Sequence, residues 1–196
     1  MPFDINRFRS ELIGDGARPN LFQVSVAAPP GIAAAVPTRT TFMIKSAQLP
    51  GSTVGTVPLF YFGRELKFAG NRTFPDWTVT VINDETFDVR NFFERWMSGL
   101  NSHAGNLREG SNSPTAYTTD LEVLQYGKAD ASREIKKYKF VGAFPTDVSP
   151  IDLDWGSNDT IEEFTVTFSY QWWESNTTDT VGSPQTNVLG QGLEFP

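Results

Sequence analysis

His103 is the one side chain able to serve as an imidazole base, and it sits in the polar stretch Asn-Ser-His-Ala-Gly-Asn. A Ser-His-Asp relay needs a nucleophile held on a strained turn, and no Gly-x-Ser-x-Gly elbow occurs in the chain. His103 therefore reads as a solvated loop residue. Gly14-Asp15-Gly16 begins like a dinucleotide fingerprint, but Pro19 stands where the third glycine is required and no strand precedes it. No phosphate loop ending in Gly-Lys-Ser/Thr is present. Asp152, Asp154, Asn158 and Glu163 match several positions of a calcium loop. The central glycine position is held by Ser157, however, and the flanks read as strands rather than helices. Asp152 and Asp154 are more simply solvated carboxylates on one strand face. Arg133, Lys136, Lys137 and Lys139 make a basic cluster with three readings: nucleic-acid contact, a charged strand face that discourages edge pairing, or an electropositive patch awaiting the acidic surface of another copy.

Composition narrows these choices. The chain has 196 residues, 39% hydrophobic and 13% aromatic, enough for one domain with a real core. With no cysteine there is no disulfide framework, no thiolate nucleophile and no Cys-based metal centre. No catalytic, metal-ligating or cofactor-binding residue is assigned, and no cofactor is expected. Apolar runs are only a few residues long, against the roughly 20 that a membrane helix needs, so no membrane insertion is expected. The N-terminus has no signal-like apolar core, and Asn71, Asn158 and Asn176 are read as chance glycosylation matches. The net charge of −7 argues against nucleic-acid binding. It is unevenly placed: residues 140–196 hold nine acids and no base, whereas residues 1–139 hold sixteen bases against fourteen acids. That division favours the third reading of the basic cluster.

The elements that would carry these groups are mainly strands. Phe164, Val166, Phe168, Tyr170 and Trp172 alternate with polar residues and Trp173, as a long strand with one buried face does. Period-two runs also occur at 22–26, 40–45, 57–62, 65–69, 77–82, 121–126 and 135–141, separated by Gly, Pro, Asn and Asp clusters. The expected fold is a mainly antiparallel β-sandwich or barrel. One segment has helical spacing: Val89, Phe92, Phe93, Trp96, Met97 and Leu100 form an apolar stripe, with Asn83 or Asp84 as N-cap and Gly99 as the stop. Ile5, Phe8 and Leu12 predict a short N-terminal helix ending at Gly14. The domain reading is an N-terminal segment (1–16), a β domain (17–174) and a polar, flexible tail (175–196). Segments 27–37 and 101–114 read as loose loops. An aromatic-rich sandwich also admits a carbohydrate-binding module. Strand alternation would then bury Trp172 and leave Trp173 free to stack on a sugar.

Several stretches resemble the tail tube protein of contractile-tailed bacteriophages. They are Ala17-Arg-Pro-Asn-Leu-Phe-Gln-Val24, then Leu49-Pro50-Gly51 leading to Gly63-Arg64, and Ala69-Gly-Asn-Arg-Thr-Phe-Pro-Asp-Trp-Thr-Val-Thr-Val-Ile-Asn-Asp84 running into Phe92-Phe93-Glu94-Arg95-Trp96. Phe144-Pro-Thr-Asp-Val148, the stretch from Ile151 to Trp155 and the strand closing at Trp173 complete the set. The resemblance implies a β-sandwich with one flanking helix and no active site. It implies hexameric rings stacked into a hollow tube inside a contractile sheath, started by a baseplate initiator, with DNA passing along the lumen without sequence-specific binding. Such a protein would sit in the virion tail after assembly in the host bacterial cytoplasm. A tube of a type VI secretion system or phage-tail-like bacteriocin is the neighbouring alternative. By position, a hairpin spanning 49–67 would project toward the adjacent ring, with Leu49, Pro50, Gly51, Gly63, Arg64 and Lys67 in contact. Arg133, Lys137, Lys139, Asp152 and Asp154 are further candidate contacts between subunits. Val89, Phe92, Phe93 and Trp96 would pack the helix on the sandwich. Segment 27–37 looks like an insertion.

Overall fold

Alternating β-branched and aromatic residues build most of the protein, seen here in a computed structural model that describes residues 5–12, 16–110, 113–128 and 133–176. The elements are α1 (Ile5–Glu11), β1 (Phe22–Val26), α2 (Thr40–Met43), β2 (Ile44–Ala47), β3 (Thr53–Tyr61), β4 (Arg64–Thr73), β5 (Trp77–Ile82), α3 (Asp88–Leu100), α4 (Pro114–Tyr117), β6 (Thr119–Tyr126), β7 (Glu134–Val148), β8 (Glu163–Ser169) and β9 (Trp172–Ser175). All pairings are antiparallel, in the order β1-β6-β7-β8-β5-β2, with β9 also on β7 and β3-β4 forming a separate ribbon.

The long strand β7 joins two halves. Its first part pairs with β6 and β9, and from Phe144 onward it pairs with β8. Gly142 sits at the change, at φ +64°, beside a register shift in β6-β7. Its N–H donates to Asp120 Oδ1 at 3.2 Å. A bulge with glycine in the left-handed region bends and twists a strand, which lets one strand serve both halves.

Between the halves and α3 lies an aromatic core. Phe168 is fully buried and touches the rings of Trp77, Phe93 and Trp96 at centroid distances of 5.7, 5.9 and 6.2 Å. Phe140 packs on Trp77 at 4.4 Å and on Tyr170 at 4.9 Å. Along α3, Val89, Phe92, Phe93 and Trp96 are all buried, and the Trp96 indole N–H donates to the Tyr117 carbonyl at 3.0 Å. These two contacts fix the helix both along and across the sheet.

Several local expectations give way to tertiary structure. The 164–173 run is broken at Tyr170-Gln171, where Gln171 N–H bonds Val141 O instead of continuing the ladder with β5. The break reverses the alternation: Trp172 is the exposed indole, and Trp173 is half-buried beside Tyr138 and Phe74. The 40–45 run opens as the helical turn α2 before β2 begins at Ile44. Neither Asn83 nor Asp84 caps α3, which starts at Asp88 behind Phe87 at φ +55° with no side-chain cap. Gly99 does not stop the helix but lies inside it, where a Cβ would come within 2.5 Å of the Ile32 side chain. The same contact shows that 27–37 is not loose, since Pro29, Ile32 and Ala34 are buried in it. Asp152 and Asp154 lie in a loop rather than on a strand face, because no ladder forms between Val148 and Glu163. The proposed end of the N-terminal helix at Gly14 and residues 177–196 of the tail lie outside the described residues.

Candidate assembly interface

The β3-β4 ribbon is the least buried part of the fold. Every residue of β3 is exposed, as is every residue of β4 except Gly70, and the two strands pair only with each other. Direct partners across an antiparallel pair share a face. Val57 opposite Phe68 and Leu59 opposite Leu66 therefore make one apolar face of the ribbon, continued by Tyr61. All five of these side chains are exposed. An isolated hairpin is marginal in water, and an exposed apolar strip of this kind marks a contact surface.

The tip is a two-residue turn, Phe62-Gly63, with φ +47° and +75°. Positive φ at both positions matches the right-handed twist of the flanking strands, and the sequence preference there is Asn-Gly. A phenylalanine in the left-handed region is unfavourable, and this one is 91% exposed, edge-on to Tyr61 at 4.5 Å. Arg64, Lys67 and Arg72 on β4 have no ion-pair partner among the described residues.

Two indoles hold the root. Trp77 Nε1–H donates to Gln48 O at 2.7 Å, and Trp173 Nε1–H donates to Gly51 O at 2.9 Å. Leu49, Pro50 and Gly51 are thus tied to the body while Leu49 stays half-exposed. Nothing in the local sequence pattern signals these indole anchors or Phe62. The Trp-Trp pair at 172–173 was visible there, but its partner lies more than a hundred residues away.

The remaining candidates fall elsewhere. On the β6-β7 face, Lys137 Nζ is 2.9 Å from Glu122 and Lys139 Nζ is 2.8 Å from Asp120. The hydrogen bond to Asp120 raises the pKa of Lys139 above its usual value; burial opposes the shift, and the charges of Asp120, Glu174 and Glu122 add to it. The lysines therefore meet acids of their own sheet. Arg133 is exposed at the start of β7. Asp154 Oδ1 accepts the Gly156 N–H at 3.0 Å, closing a turn within its loop. His103 is exposed in the turn after α3. Tyr170 is buried, and the exposed Trp172 donates to its neighbour Glu174, so the three aromatics make no shared platform for a sugar. Among the described residues no three His, Asp or Glu side chains converge as metal ligands, and no helix is long and apolar enough to cross a membrane.

The main sheet has its edges at β1 and β2, and among the described strands the apolar β3-β4 arm pairs with neither. Residues 17–176 match the family model described as phage tail tube protein, and the chain belongs to that family. It is 39% identical over 161 residues to tail tube protein gp19 of Enterobacteria phage T4, covering 82% of this chain and 93% of that one. It is 28% identical over 172 residues to the tail tube protein of Serratia phage KSP90, covering 85% and 93%. Its fold is shared with a chain of the PVC sheath-tube complex of an extracellular contractile injection system, with TM-score 0.56, 16% identity and coverage of 89% and 98%. The tube-terminating cap of the anti-feeding prophage gives TM-score 0.58, 17% identity and coverage of 82% and 90%. The chain is a structural tail tube subunit.

Proposed function

We propose that six copies close a ring by joining sheet edges, and that rings stack into the hollow tube of a contractile phage tail. The exposed β3-β4 arm is the observation that carries this reading, because an apolar ribbon with no partner among the described residues stays in water until another copy covers it. Leu49, Pro50, Gly51, Gly63, Arg64 and Lys67 belong to that contact. Arg133, Lys137 and Lys139 flank the β6-β7 face toward a neighbour in the ring. The tube is enclosed by a tail sheath, grows from a baseplate initiator and conducts DNA without binding its sequence, a passage that net negative charge assists. Assembly takes place in the host bacterial cytoplasm, and the subunit turns over no substrate. The phage reading is favoured over another contractile injection system because the sequence relatives are phage tube proteins, whereas the injection systems share the fold at low identity.

Electron microscopy of the purified chain over rising concentration tests the proposal. Rings of about 131 kDa, six times the 21.8 kDa chain, and tubes built from them are expected. A strict monomer at every concentration, with and without residues 177–196, refutes it.

A further inference from the structure

The loop between β7 and β8 displays apolar side chains that no other described residue covers. Trp155 is fully exposed, Leu153 is 80% exposed and Ile161 is 72% exposed. This display is built rather than frayed. Asn83 N–H donates to Glu162 O at 2.8 Å, the Asn83 side-chain amide donates to Glu162 Oε2 at 2.9 Å, and Ser149 Oγ accepts the Thr165 N–H at 2.8 Å. These bonds close both ends of the loop, and the Asp154-Gly156 turn sets Trp155 outward between them. Around the apolar residues lie Asp152, Asp154 and Asp159, and none of the three has an ion-pair partner among the described residues.

The strand register places this loop and the hairpin at opposite ends of one sheet. The hairpin leaves the body where Ala47 pairs with Val79 and Trp77 with Phe168. The loop leaves where Ile82 pairs with Glu163 and Val148 with Val166. Five residue steps of β5 separate the two ends, roughly 17 Å. The hairpin does not lie back over the gap, since both its strands are solvent-exposed along almost their whole length. Among the described residues, one end of the subunit thus carries an apolar ribbon with three cations and one carboxylate, Glu65, outside any ion pair, and the other carries an apolar loop with three such carboxylates. They are complementary and out of reach of each other within one chain, so the geometry satisfied by both is head-to-tail repetition.

We propose that the 149–162 loop is the seat for the β3-β4 hairpin of the next copy along the tube axis. Trp155 and Leu153 cover the apolar face of the arm, and Asp152 and Asp159 face Arg64, which lies on that face opposite Tyr61, while Lys67 flanks it from the other face. This deepens the tube reading and rests on it. It names the surface that receives the arm, and it makes the tube polar, with a different chemistry at each end.

The test uses the full chain and separates ring formation from stacking. Trp155 and Leu153 contribute nothing to the monomer core, so Leu153→Ser/Trp155→Ser protein should keep the wild-type thermal melt. It should still give rings by analytical ultracentrifugation, while the concentration needed for tubes rises about ten-fold or more, as expected when an aromatic anchor is truncated. Arg64→Glu/Lys67→Glu and Asp152→Lys/Asp159→Lys should each block tubes, and an equimolar mixture of the two variants should restore alternating growth. Tubes of wild-type yield from the Leu153/Trp155 variant, or loss of rings together with tubes, overturns the assignment of this loop to stacking while leaving the tube reading in place. Wild-type protein that never exceeds a monomer overturns the tube reading and the seat with it.

Discussion

Phe62 shows at the scale of one residue how assembly and local preference conflict. Its turn position favours Asn, yet a large ring stands there in the left-handed region, almost wholly exposed. Phe62→Asn is therefore expected to leave the stability of the monomer unchanged or to raise it by at most about 1 kcal/mol, while lowering tube yield in electron micrographs. A second residue-scale prediction concerns Asp84. Burial raises its pKa, but hydrogen bonds from Thr86 and Arg39 and the charge of Arg39 outweigh burial, leaving the group below its usual 3.8. A carboxyl whose folded pKa is depressed contributes stability above its unfolded pKa and loses it as pH falls through the folded value. Arg39→Ala should move the Asp84 carboxyl upward in an NMR titration and bring acid unfolding to higher pH. An unchanged titration would remove Arg39 as the cause. In this same clamp Arg39 also reaches Asp88, the first residue of α3, at 3.1 Å. Asp84 is engaged by Arg39 and Thr86 rather than by the helix amides.

At the scale of elements, the strongest periodicities were legible and their interruptions were not. The alternation in 77–82 and 164–169 and the Val89-Phe92-Phe93-Trp96 stripe follow from the repeat of a strand or helix buried on one side. The break after Ser169 depends on Gln171 bonding β7, and the role of Gly99 depends on Ile32 lying against it. Neither partner is near in sequence, and a pattern confined to one segment cannot register it. The hairpin reads as two short strands, and only the family resemblance implied that it projects, since Val57, Leu59, Leu66 and Phe68 look like core residues in a linear reading. Packing of α3 gives the element-scale prediction. Trp96 is fully buried and its N–H satisfies the Tyr117 carbonyl. Trp96→Ala should cost about 3–5 kcal/mol, read as a lower denaturant midpoint, and a loss below 1 kcal/mol would mean that α3 is not held by this contact.

For the whole molecule, the structure redistributes the charge asymmetry seen in the sequence. Arg39, Arg90, Arg95, Lys137 and Lys139 meet acids of the body itself, whereas Lys45 pairs with Glu163 in the acidic C-terminal part. Among the described residues without an ion pair are Arg64, Lys67 and Arg72 on the hairpin and Asp152, Asp154 and Asp159 on the loop at the far end. Exposed ion pairs contribute only about 0–1 kcal/mol each, whereas covering Trp155 and the ribbon face removes large apolar side chains from water. The charges should therefore govern the encounter of rings more than the permanence of the stack. Raising sodium chloride from 0.1 to 1 M shortens the screening length from about 10 to about 3 Å. Light scattering should then show slower tube growth from rings, while preformed tubes diluted into the same buffer keep their length. Sulfate should do the opposite at matched ionic strength, strengthening the apolar contact. Preformed tubes that dissolve in 1 M sodium chloride would show that charge, and not the apolar face, holds successive rings together.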